Sequence, residues 1–239
     1  MQEATQQIGS DIATIFDACF SAIGGNGNPD VSDYFNSRKQ KITRAAFFEN
    51  VVWAVWVSGM GRKATRTFLT EAGITYDFMT YASMDRSKLD AFIRRVHYLG
   101  VTPWAEKKWL AIYNIALWLT EFTTEEDFRQ NVFSGKTDGE KLDKTDVQRI
   151  LRLNLPFIGW ANSHYLVKNL GGQAIKCDRW VDELLFWGGL DQAELESRLG
   201  KRKISLSLFD TVFWAYCEMF IGKTSDFGEH FSSKFGYLK

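Results

Sequence analysis

The five residues Leu155-Pro156-Phe157-Ile158-Gly159 restrict this chain more than any other stretch. They separate two segments of helical periodicity by a turn that leaves room only for a tight hairpin. Upstream, Thr145-Asp146-Val147-Gln148 has the form of a capping box, and Val147, Ile150, Leu151 and Leu153 share an apolar face. Asn154 and Pro156 end that helix, because proline lacks an N–H and biases its predecessor away from helical angles. Gly159 permits the turn, and a second helix starts near Trp160 with Tyr165, Leu166 and Leu170 as its buried stripe. Gly171-Gly172 is its C-terminal stop. The N–H groups of such a turn and helix start point outward together. Leu155, Phe157, Gly159, Trp160, Ala161 and Asn162 are therefore candidates to hold a phosphate oxygen, a contact that carries no sequence information.

A lone carboxylate follows. Asp178 stands between an extended Ala174-Ile175-Lys176-Cys177 and the helical pattern Trp180-Val181-Asp182-Glu183-Leu184-Leu185. Aspartate is a favoured N-cap, which accounts for it structurally. A cap can also be a fixed carboxylate for chemistry, so both readings stay open.

In order, these motifs resemble the signature of the helix-hairpin-helix DNA glycosylase superfamily, which includes endonuclease III and the adenine and alkylpurine glycosylases. The family pattern is a Leu-Pro-Gly-Val-Gly hairpin, a helix, and Val-Asp-Thr-His or a variant carrying the essential aspartate. Leu155 to Gly159 is similar to the hairpin except at Phe157, and Cys177-Asp178-Arg179-Trp180 is similar to the second motif mainly at the aspartate. Upstream, Phe47 to Met60 is similar to the family's early helix, and Gly61-Arg62-Lys63-Ala64 restarts a helix as the family does. Phe92 to Gly100 followed by Ala105-Glu106-Lys107-Lys108 resembles a further family segment. The resemblance spans residues 44–187.

It implies an all-α, two-lobed fold. Residues 44–170 would form a helical barrel lobe ending in the helix-hairpin-helix at 145–170. Residues 1–43 plus 171–239 would form a second lobe carrying Asp178 as the catalytic carboxylate. The implied activity is excision of a damaged or modified base flipped out of double-stranded DNA. Met60 falls where many relatives place a gap-filling glutamine, which makes it a candidate wedge, with Arg62 and Lys63 as neighbouring DNA contacts.

Three departures shape the expectation. Phe157 replaces a hairpin glycine, at a backbone angle that glycine makes easy. Ala161 stands where bifunctional members carry the Schiff-base lysine, and Lys168 and Lys176 do not match that position, so base removal without strand cleavage is expected. With only Cys19, Cys177 and Cys217, the four-cysteine iron–sulfur cluster of endonuclease III cannot form. No cofactor or metal is expected. Two other readings remain: a transferase acting on activated hypermodified thymine in phage DNA, and a non-catalytic helix-hairpin-helix binder. A host-defence enzyme that excises bulky phage pyrimidines is a variant of the glycosylase reading.

Composition sets outer limits. A formal net charge of zero means that any DNA surface must arise by segregating charge. The cluster Arg38, Lys39, Lys41, Arg44, Arg62, Lys63 and Arg66 is the most basic region. No apolar run or basic-then-apolar start suggests a membrane span or signal peptide, and the scattered cysteines give no disulfide framework. A cytoplasmic monomer is expected.

Elsewhere Ile8, Ile12, Ile15, Phe16, Cys19 and Phe20 mark an amphipathic N-terminal helix packing beside the C-terminal helices, and Gly24 to Asp30 reads as a loop. Residues 71–135 read as three helices. One runs from Ser87 to Leu99, and another from Trp104 to Phe122 with Trp109, Ile112, Tyr113, Ala116 and Leu117 as its stripe. Leu206 to Ile221 reads as a buried helix with Phe209, Val212, Phe213, Tyr216 and Phe220 inward, and the aromatic tail from Gly222 as a surface strap. His164 is expected to have a surface or hydrogen-bonded role rather than a catalytic one.

Overall fold

The computed structural model describes residues 12–58, 62–98, 104–176, 178–222 and 226–235. Ile8, Met60, Leu99 and Cys177 lie outside the described residues, and of Arg62 and Lys63 only the backbone is described. The described residues are helical and form no strand beyond an isolated bridge between Lys41 and Asp138. None of the helices is long and apolar enough to cross a membrane.

The apolar side chains gather in two clusters. At the centre of the first is α3 (Arg44–Val57), capped by Thr43, whose buried residues Phe47, Phe48, Val51, Val52, Ala54, Val55 and Trp56 leave no single apolar face. A helix buried all round must be enclosed by others. Its label follows α1 (Ile12–Ala22) and α2 (Pro29–Ser37), which belong to the second cluster. Continuing along the chain are α4 (Arg62–Glu71), α5 (Phe78–Ala82), α6 (Arg86–Tyr98), α7 (Ala105–Thr120), α8 (Glu125–Phe133), α9 (Lys144–Arg152) and α10 (Trp160–Asn169). Helix α7 packs on α3, α5 and α6, while α10 packs on α9 and α3.

The second cluster is built around α13 (Leu206–Phe220), which packs on α1, α2, α11 (Arg179–Gly188) and α12 (Gln192–Lys201). The aromatic tail is not a surface strap. It forms α14 (Phe227–Phe235), whose Phe227 and Phe231 stack at 4.3 Å and bury against Phe213. Their i,i+4 spacing places both rings on one face, a period too short to stand out in nine residues.

Four further expectations are corrected. The loop from Gly24 ends at Asn28, whose side chain caps α2 with proline at its first position. The described residues of 71–135 hold four helices, because the five-residue α5 has no periodicity to betray it. On α7 the expected Trp109, Ile112 and Ala116 are buried, joined by Lys108, Ala111, Ile115 and Leu119, whereas Tyr113 is half-buried and Leu117 exposed. Phe220 is likewise exposed, at the far end of α13.

The clusters meet where glycine alone fits. Gly171 has φ +99°, and a Cβ there would stand 2.8 Å from the Arg38 Cα just after α2. A Cβ on Gly139 would fall 1.6 Å from the Leu170 carbonyl oxygen. The turn that ends α10 is thus wedged against two other segments.

Candidate active site

The hairpin comes first. Helix α9 is capped by Asp143, whose carboxylate accepts from the Thr145 N–H at 2.7 Å, while the buried Asp146 accepts the Asp143 N–H at 2.9 Å. The capping box therefore sits two residues earlier than the threonine that suggested it, and Thr145 serves the cap by donating its hydroxyl to Asp143. Beyond α9, Asn154 and Phe157 both adopt left-handed angles, φ 51° and 63°. Phe157 thus takes the glycine-like conformation at a cost of about 1–2 kcal/mol. Two contacts hold it there: its ring packs on the first core cluster, and Asn162 Nδ2 donates to its carbonyl at 2.7 Å.

Gly159 gives α10 no side-chain cap, and a Cβ built there would touch nothing. The first amides of α10, at Trp160, Ala161 and Asn162, have no intrahelical acceptor and lie at the positive end of a helix dipole with no side-chain cap from Gly159. Trp160 is exposed beside them, its ring edge-on to His164 at 4.4 Å. His164 is buried, with Nδ1 3.0 Å from the Trp160 carbonyl. Leu155 is core rather than surface and contributes only through the backbone of the turn.

Asp178 lies at the head of α11 and accepts the Trp180 N–H at 3.1 Å, so the capping reading holds. Its own N–H donates to the Lys176 carbonyl at 2.7 Å. Lys176 Nζ sits 3.7 Å from Asp178 Oδ2 and 5.6 Å from the centre of the Tyr165 ring on α10.

That segment is fastened from α13. Ser207 Oγ accepts the Ala174 N–H at 2.8 Å, and Asp210 Oδ1 accepts the Lys176 N–H at 3.1 Å. Asp210 is fully buried and ion-paired with Lys168 of α10. Burial pushes its carboxyl up, opposed by the Lys168 ammonium. One buried carboxylate thus ties the hairpin helix, α13 and the approach to Asp178 together.

Beside this group opens a cavity of about 620 Å³. Its lining includes Lys168, Lys176, Tyr165 and Trp214 together with Glu49, Asn50, Trp53, Arg66 and Tyr76. Asp30, Asp33 and Tyr34 of α2 line it too. Among the residues whose side chains are described, Arg66 is the one member of the basic cluster from Arg38 to Arg66 found in its wall. Arg44 is engaged elsewhere, paired with Glu125 at 2.8 Å. Among the described residues no group of three or more His, Cys, Asp and Glu could hold a metal ion.

Sequence reading missed Lys168, Lys176 and Asp210 as parts of one arrangement. The alternation of Lys176 and Asp178 and a carboxylate inside the apolar run of α13 were the available signals. It also missed Lys108, which is fully buried and donates from Nζ to the Trp56 and Ser58 carbonyls at 3.1 and 2.5 Å, closing the C-terminus of α3.

No protein-family model and no curated protein sequence matches the chain. Solved structures do. The 8-oxoguanine DNA glycosylase of Thermotoga maritima superposes with a TM-score of 0.62 at 14% identity, covering 90% of this chain and 100% of that one. The 8-oxoguanine DNA glycosylase of Methanocaldococcus jannaschii superposes with a TM-score of 0.53 at 14% identity, covering 94% and 95%. The chain shares the helical fold of these glycosylase structures.

Proposed function

We propose that this chain is a DNA N-glycosylase that flips a damaged or modified base out of the duplex and releases it by hydrolysis. The observation that carries the reading is Asp178, fixed as the cap of α11 beside a cavity whose wall continues through Lys176 to the uncapped hairpin helix. The shared fold with two structures named for excision of 8-oxoguanine supports it.

The division of labour follows from charge. The amides of Gly159, Trp160, Ala161 and Asn162 hold a phosphate of double-stranded DNA, and Arg62, Lys63 and Met60 lie on the segment proposed to face the gap left by the flipped base. The two clusters act as lobes, residues 44–170 against residues 1–43 plus 171–239, with the base between them. Breaking the C1′–N bond builds positive charge on the sugar, which a fixed carboxylate stabilises while it orients the attacking water. Ala161 offers no amine for covalent attack, so water is the nucleophile and an abasic site the product. The chain works as a cytoplasmic monomer.

For the base, a modified one is favoured. The solved neighbours are named for an oxidised guanine, and a cavity of about 620 Å³ also leaves room for a bulky phage pyrimidine removed in host defence. A panel of duplexes and phage genomes carrying these bases, read by mass spectrometry of released bases, names the substrate. Asp178→Asn keeps a competent N-cap and is expected to slow base release roughly a hundredfold or more with DNA affinity retained. Unchanged release would remove Asp178 from the role.

A further inference from the structure

The reaction proposed above separates charge: the sugar becomes positive as the base becomes negative. Asp178 answers only the first half. We propose that Lys176 answers the second, as the group that stabilises the departing base and returns its proton. This rests on the glycosylase reading and names a second catalytic residue for it.

Three observations converge on Lys176. Lys176 lines the 620 Å³ cavity, which Asp178 does not, so it is the member of the pair that borders whatever the cavity holds. Nζ lies 3.7 Å from Asp178 Oδ2, so cation and anion stand side by side as the two ends of a breaking C1′–N bond require. The residue is also preorganised: its N–H is held by the buried Asp210 and its carbonyl by the Asp178 N–H, while Tyr165 supplies a ring face 5.6 Å from the ammonium. Fixed charges of this kind cost no reorganisation at the moment of reaction, which is why they stabilise transition states strongly. Lys168 also lines the cavity, but its ammonium is committed to the buried Asp210. Position 161 of the hairpin helix is alanine, so the cation at this site comes from the approach to Asp178.

The step balances. The C1′–N bond breaks with its electron pair passing to the base. Water adds its oxygen to C1′ and gives its proton to the Asp178 carboxylate. The base anion takes a proton from the Lys176 ammonium, and protonated Asp178 restores that ammonium. Sugar hydroxyl and neutral base are the products, with both side chains as they began.

The test uses the full chain and duplexes with a single 8-oxoguanine, hypoxanthine, uracil, 5-fluorouracil or 5-hydroxymethylcytosine, under single-turnover conditions with released base measured by mass spectrometry. Lys176→Met is expected to slow release roughly a hundredfold. Lys176→Arg should recover most of the rate and Lys176→Gln should not. Affinity for a duplex with a tetrahydrofuran abasic-site analogue should be unchanged in all three. Where several bases are released, the penalty should be larger for the less acidic ones. Wild-type rates in Lys176→Met would overturn the proposal. Equal loss of analogue binding and rate, without rescue by arginine, would reduce Lys176 to a structural role. Borohydride trapping of wild type, but not Lys176→Met, on DNA would also overturn it by making the amine a nucleophile. No release by wild type from any duplex would defeat the glycosylase reading itself, a result distinct from the others.

Discussion

Phe157 shows how one residue can depart from a pattern and keep its geometry. Its φ of 63° is the angle glycine adopts freely, and a phenylalanine holds it only because the ring packs and Asn162 grips the carbonyl. The usual ranking of alanine over glycine should therefore invert. Phe157→Gly and Phe157→Ala lose the same ring contacts, but only alanine retains the strain. The glycine variant is expected to be more stable than the alanine variant by about 1 kcal/mol in urea unfolding. The opposite order would mean that the backbone relaxes out of the left-handed region once the ring is gone. The sequence pointed to this position through the missing glycine, but whether the backbone would yield depended on contacts from Asn162 and the core.

At the scale of one helix, the end of α3 depends on a charge brought from α7. Lys108 closes the carbonyls of Trp56 and Ser58, and burial pulls its ammonium down to about 8. An unfolded lysine titrates near 10.4. Between those values the unfolded chain keeps a proton that the folded chain has released, so stability rises with pH there. Below about 8 the burial penalty is paid in full. The slope is at most about 1.4 kcal/mol per pH unit. Measured by urea unfolding, the stability of wild type relative to Lys108→Met is expected to increase between about pH 8 and pH 10. A flat difference would show that the buried ammonium carries no penalty. The helices themselves were largely legible. The enclosed α3, the hairpin pair and α13 followed from periodicity and caps, whereas α5 and α14 were too short to show a period. The burial of Lys108 was not visible in the sequence because periodicity could not fix the phase of α7, which is apolar on several sides.

Across the whole molecule, the cavity exists because the two hydrophobic clusters meet at a fixed distance. Gly171 sets part of that distance: its φ of +99° and the 2.8 Å approach to the Arg38 backbone leave no room for a side chain. Gly171→Ala is expected to lower the unfolding midpoint and, at temperatures where the variant remains folded, to weaken base release, because α2 and α10 both contribute cavity walls. A variant destabilised but fully active when folded would show that the cavity tolerates a shift between the clusters.

The sequence by itself determined the all-helical class, the hairpin between α9 and α10, and the position of Asp178 at a helix head. Each of these is set by local chemistry: periodicity, a proline, a glycine turn and a cap within a few residues. Only the tertiary structure decided that Asp210 would accept from both Lys168 and the Lys176 N–H and so tie the hairpin helix to the segment before Asp178. Those are contacts between groups up to 42 residues apart, and their geometry depends on how the helices pack. The same holds for the cavity, since no single stretch of chain contains its walls.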